Sequence, residues 1–468
     1  MNELNIPRIP AFSAFLKRCA TPFKMIAVTL LTLLLLIPLG MIQSVLRERL
    51  DRRNEAVTEI TSKWGKDQSI VGPVLIVPYQ YPIKSWKEKP TTNGGYERVE
   101  VTEMALASAY FLPAKLAIDG TVDPMRLRRG IYQAVVYSGK LDISAQFARP
   151  DFASLKIEDQ NVLWDDAVVT FAIPDLRGVK ETLHLQWGTN SVLLSPGCKL
   201  KSFPTGVFAK VTGLRESAGT IPARLELSLN GSGGVNFAPI GAQSSVHLSS
   251  PWPDPSFQGA FLPSERKVTP AGFDADWQLS YYGRDYAQQW TSQDSSAGLD
   301  ATSAASSLFG ANFLSGIDAY RNTERAIKYG MLFLALVFTA FFLFEVLSGL
   351  RIHPFQYALV GAALCLFYLG LLSLSEFISF GLSYLAASAV TTLLIWCYSV
   401  KVLKSGKRTL IIVGLLAAIY GFLYIALQLQ DYSLLFGTAG LFAVLAVVIY
   451  LTRNIDWYTR DQGQPSNV

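Results

Sequence analysis

Histidine, cysteine and charge are all scarce in this chain. Three histidines and four cysteines stand among 468 residues. Cys19 precedes the first apolar run, Cys365 and Cys397 fall inside later ones, and Cys198 stands alone in the middle of the chain. A lone cysteine there has no intrachain partner, so no disulfide framework is implied, and metal-ligand spacing is absent. The four read as small apolar side chains. Charged residues make up 16% of the chain, against about 25% in ordinary globular domains. The formal charge is +5, but the basic residues cluster beside apolar runs, which suits membrane topology and gives no sign of a nucleic-acid partner.

The usual signatures of catalysis are also missing. No phosphate loop, HExxH zinc helix, dinucleotide fingerprint or GxSxG elbow occurs, and no cofactor is implied. Ser264-Glu-Arg-Lys267 fits SxxK, but no SDN or KTG follows, so a solvated charge cluster is the expectation. His184 and His247 each lie in a strand-like run without a visible partner. The segment 252–277, dense in proline and aromatics, reads as a rigid loop crossing the end of a sandwich.

What is abundant is long apolar sequence. Spanning a bilayer takes about 20 apolar residues, and in lipid such runs must be helical. One run covers 25–45. Five follow one another at 327–347, 355–375, 378–400, 410–427 and 432–451. The first is longer than a typical signal-peptide core and lacks a clear small-residue cleavage site, so it reads as an uncleaved anchor helix, with Pro38 a candidate kink. Residues 46–326 have the mixed composition of a soluble domain. Runs such as VLIVPYQY, LDISAQF and ARLELSL are β-branched, aromatic and partly alternating, as half-buried strands are. Asn93-Gly94 and Asn230-Gly231 are hairpin-turn dipeptides, and Thr291 to Ser307 reads as a low-complexity mobile loop. The expected fold is a membrane protein: an N-terminal anchor helix, a large β-rich, sandwich-like periplasmic domain, and a C-terminal bundle of five transmembrane helices.

Charge sets the orientation. KVLKSGKR, between the fourth and fifth spans, holds Lys401, Lys404, Lys407 and Arg408 and no acid, so it is expected in the cytoplasm. Counting spans from there puts both tails, 1–24 and 452–468, inside and the middle domain outside.

Ionisable groups at membrane depth are costly unless paired or near water. Glu345 near the inner end of its span, with Arg351, His353, Arg453 and Asp456 on the same side, forms a candidate polar cluster at the cytoplasmic edge. Glu376 lies at the opposite edge, where Arg325 and Lys328 also fall. An ion-linked path or headgroup site is one reading, and helix-end pairing is the other. A through-path would want acidic or polar residues near the midplane, and none is evident.

These residues also carry a resemblance. FFLFE, RIHPFQYALVGAALCLFYLGLLSLSEF and LTRNIDWY resemble the C-terminal half of the CreD family, bacterial inner-membrane proteins of cell envelope integrity. IVGPVLIVPY, RGIYQAVVYSG and WPDPSFQGAFLPSERKV resemble its periplasmic part. The resemblance implies a Gram-negative inner-membrane protein with a large periplasmic domain, made in an envelope-stress or β-lactam-linked response under a sensor-kinase and regulator pair. It implies no active site, because the family has no established catalytic mechanism. Glu345, His353, Gln356, Glu376, Arg453 and Asp456 fall in the matching strings without an assigned role. The partners expected are membrane lipids and an unidentified periplasmic protein or cell-wall component. A transporter or lipid-handling bundle is the second reading, and a glycan-acting enzyme the third.

Overall fold

The alternating apolar pattern of the central region becomes two β-sheets in the computed structural model of the protein. The structure describes residues 20–90, 96–217, 219–294, 296–313, 319–348, 352–403, 405–429 and 432–453. The helices, in chain order, are α1 (Ala20–Trp64), α2 (Ala301–Ser307), α3 (Ala319–Lys328), α4 (Gly330–Ser348), α5 (Pro354–Ser375), α6 (Phe380–Leu403), α7 (Gly406–Gln428) and α8 (Ser433–Thr452). The chain divides into a β unit, Asn54–Gly316, and a helical unit made of Met1–Arg53 and Ile317–Val468.

In the β unit, an eight-stranded sheet runs edge to edge through Glu265–Thr269, Gly272–Ser280, Gln243–Ser250, Lys115–Arg129, Tyr132–Phe147, Ile221–Ser232, His184–Trp187 and Asn190–Leu193. Its pairs are antiparallel except Lys115–Arg129 with Gln243–Ser250. Period-two sequence puts alternate side chains on opposite faces. Thus Leu116, Ile118 and Val122 are buried while Lys115, Ala117 and Asp119 are exposed. The nine-stranded sheet is built around Gln68–Pro90, which pairs with Gly234–Phe237, Val168–Ala172 and Tyr96–Phe111. Its early part, from Ile70 to Val77, is buried without alternation, as a central strand covered on both faces requires. Part of that cover is the segment around Trp164. The Leu163 N–H donates to the Pro78 carbonyl at 2.9 Å, and Trp164 meets Phe152 edge-on at 5.1 Å. Inward residues of both sheets, such as Leu225 and Val246 from one and Val74 and Phe237 from the other, share one core, as in a sandwich.

Several local expectations are corrected. Asn230 and Gly231 do not turn: they sit within the strand Ile221–Ser232, opposite Ser138 and Tyr137. A Cβ at Gly231 would lie 2.3 Å from the Tyr137 ring, whose hydroxyl donates to the Gly234 carbonyl at 2.9 Å. Glycine is needed there for close packing, not for a turn. Asn93-Gly94 lies outside the described residues. The segment 252–277 is not a bare loop but supplies the strands Pro255–Gly259 and Glu265–Thr269 and enters Gly272–Ser280. The Ser/Ala-rich stretch is ordered too. Gln289–Thr291 pairs with Tyr96–Phe111. Asp300 caps α2 in a capping box with Ser303, and Leu299, Ala304 and Ser307 are buried. Low complexity hid a short helix whose small residues allow close packing.

In the helical unit, α1, α5, α6, α7 and α8 are each long and apolar enough to cross a membrane, and α3 with α4 passes the same test as one bent pair. The expected straight span 327–347 is therefore corrected: the helix breaks at Tyr329 with a 48° bend. The break falls where α1 approaches, since a Cβ on Gly330 would lie 2.9 Å from Leu39. Leu35, Leu39, Ile42 and Leu46 form one buried stripe of α1, sharing a core with Phe338, Val360 and Leu364. Gly361 lets α1 and α5 approach, because a Cβ there would meet Leu35 at 2.2 Å. Near the middle of α6, Thr391 is buried, so the expectation of no polar residue at mid-depth is corrected in that respect.

Candidate functional site

The site is built where α4 ends and α5 begins. Glu345 lies on the last turn of α4 and is buried. Its Oε1 accepts from the Lys24 ammonium of α1 and from the Ile352 N–H at 3.0 Å, and its Oε2 accepts from the Tyr357 hydroxyl at 2.8 Å. Lys24 also donates to the Ile352 carbonyl at 2.6 Å. The side chains of Lys24 and Glu345 keep only 19% and 7% of their exposure. Tyr357 is held in place by Phe338, edge-on at 5.8 Å. The carboxylate thus receives one ammonium, one amide and one phenol, which is the compensation that burying a charge demands.

The neighbouring residues shape the entry to α5. His353 is exposed and caps that helix: its ring Nδ1 accepts from the Phe355 N–H at 3.2 Å, while the His353 N–H donates to Gln356 Oε1 at 3.0 Å. Pro354 stands at the first helical position, where its missing N–H does no harm. Of the residues expected to gather here, Glu345 and His353 come together at this junction. Arg453 instead lies over the Tyr450 ring at 4.1 Å. Arg351 and Asp456 lie outside the described residues.

A second, looser pair marks the other end of the unit. Glu376, at the C-cap of α5, faces Arg49 of α1 at 3.7 Å and accepts from the Tyr320 hydroxyl at 3.3 Å. Arg325 donates to the Leu427 carbonyl at 3.4 Å, and Lys328 pairs with Glu324 at 2.9 Å. Lys24 and Arg49 are separated by about 37 Å along a helix that rises ~1.5 Å per residue. A bilayer measures roughly 30 Å across its apolar core and 40–45 Å with headgroups. The two pairs therefore fit opposite interfaces, with α1 giving the cation and the bundle the acid each time. Sequence reasoning missed Lys24, Arg49, Tyr357 and Tyr320. A signal existed for the first: Lys24 is a lone-standing cation at the depth of a lone carboxylate, whereas Arg49 is one of four arginines between 47 and 53.

The β unit offers one other gathering of titratable groups. Glu265, Asp276, His247, Asp119, Asp142 and Glu226 fall in one register row across the outer face of the eight-stranded sheet. Arg224 grips Asp142 at 2.9 and 2.8 Å, and His247 Nδ1 meets Asp276 at 2.9 Å. The row borders a shallow hollow of ≈ 300 Å³ and stands on an exposed face, unlike the water-excluding cleft of a glycan-cleaving carboxylate pair. Ser264 and Lys267 are exposed at and in an edge strand, where residues three apart point to opposite faces, so they form no SxxK pair. Among the described residues, no three His, Cys, Asp or Glu side chains could hold a metal ion.

A family model described as "Inner membrane protein CreD" matches residues 20–458. The chain belongs to the CreD family. It is also similar to the inner membrane protein CreD of Escherichia coli (strain K12), with 31% identity over 427 residues, covering 91% of each chain. Membership agrees with the helical unit: this is a multi-pass inner-membrane protein, and the match takes in α1, both sheets and every helix of the bundle.

Proposed function

We propose that this CreD-family chain is a non-enzymatic inner-membrane protein that supports cell-envelope integrity in an envelope-stress or β-lactam-linked response. In this reading the β unit lies in the periplasm and binds a cell-wall, lipid or protein partner, while the helical unit anchors it and both termini stay in the cytoplasm. The basic loop between α6 and α7 supports that orientation. The observation that carries the non-transport reading is the state of Glu345. Its oxygens are taken by Lys24, Ile352 and Tyr357, as befits a fixed structural charge rather than a relay open to protons or ions.

A second reading, lipid handling by the bundle, is favoured by one observation: an apolar groove of ≈ 760 Å³ between α6 and α7. The two are separated by complementing a deletion strain and scoring detergent and β-lactam sensitivity beside protein abundance. With Glu345→Gln, abundance and protection should fall together. A normally abundant, stable but wholly inactive Glu345→Gln protein would overturn the structural reading and promote transport. Crosslinking in cells from exposed positions of the β unit should yield a periplasmic partner, and adducts confined to cytoplasmic proteins would overturn the orientation.

A further inference from the structure

We draw no further inference here: the strongest candidate, the two-stranded ribbon in which the outer parts of Gln68–Pro90 and Tyr96–Phe111 pair with each other and expose Trp86, Met104 and Leu106 on one face, is an unpartnered apolar face, and nothing in the structure shows what covers it.

Discussion

Removing the Glu345 carboxylate should destabilise the helical unit strongly. In Glu345→Ala, the Tyr357 hydroxyl and the Ile352 N–H lose their acceptor, and the Lys24 ammonium keeps only the Ile352 carbonyl. Breaking a buried pair by removing one member costs about 3–5 kcal/mol, whereas an exposed pair is worth about 0–1. Glu345 keeps 7% of its side-chain exposure and Lys24 keeps 19%, so the site stands near the buried limit, relieved somewhat by water at the Lys24 end. The expected loss is about 2–4 kcal/mol. Glu345→Gln keeps an acceptor for Ile352 or Tyr357 but turns a neutral amide toward Lys24, and should lose about 1–2 kcal/mol. Lys24→Met leaves the acid with two neutral donors, and about 2 kcal/mol should go. The decisive variant is Lys24→Met with Glu345→Gln, which strands no charge. It should be less destabilised than the sum of the singles, with a coupling of about 1–2 kcal/mol. Equilibrium unfolding of the full chain in mixed detergent micelles, followed by helical circular dichroism, gives all four corners of the cycle. A coupling below about 0.5 kcal/mol, the usual error of additivity, would refute the claim that this pair holds α1 to the bundle.

At the other end the same logic predicts a smaller effect: Arg49 is 41% exposed and 3.7 Å from Glu376, whose side chain keeps 9%, so Arg49→Met should cost about 1–2 kcal/mol, between the exposed and buried limits. A reporter active only in the periplasm should work when fused after Ser296 and stay silent after Ser405, and swapped activities would invert the proposed orientation. The fragment Asn54–Gly316 should be soluble with a β-type circular dichroism spectrum, and reducing agent should leave its melting temperature unchanged because Cys198 has no disulfide. In that fragment Arg177 holds the Asp175 carboxyl down to about 2. The stabilisation it gives is therefore present above the ordinary carboxylate value near 4 and disappears as pH falls through about 2. Asp175→Asn should unfold more easily than wild type in urea at pH 7 and no more easily near pH 2; a gap independent of pH would sink that assignment.

Which of these features could be read from the chain follows from how far apart their determinants lie. Strands and spans are local: a period of two in ARLELSL or an unbroken apolar run is decided within a dozen residues, and both survive in the structure. The bend at Tyr329 was not legible within the apolar run, and the close approach beside it, Leu39 against Gly330, joins residues nearly three hundred apart. Asn230-Gly231 misled for the same reason: its glycine answers to Tyr137 across the sheet, not to a turn. The carboxylates were found, since an acid in an apolar run stands out, but their cations were sought in nearby loops and the structure supplies them from α1. Lys24 had the appearance of a topology signal, and Tyr357 of one more aromatic in a span. This bears on what α1 does. If it were only an anchor, its sequence would need to be long and apolar and nothing else. Instead it carries a cation at each end in register with two of the bundle's acids, Glu345 and Glu376, and, between them, a stripe of Leu35, Leu39, Ile42 and Leu46 that shares a core with α4 and α5. Without α1, Glu345 would keep, among the described residues, only its two neutral donors, Ile352 and Tyr357. Among the described residues the buried Glu345 meets a cation only through α1, so α1 belongs to the core and the charge balance of the bundle.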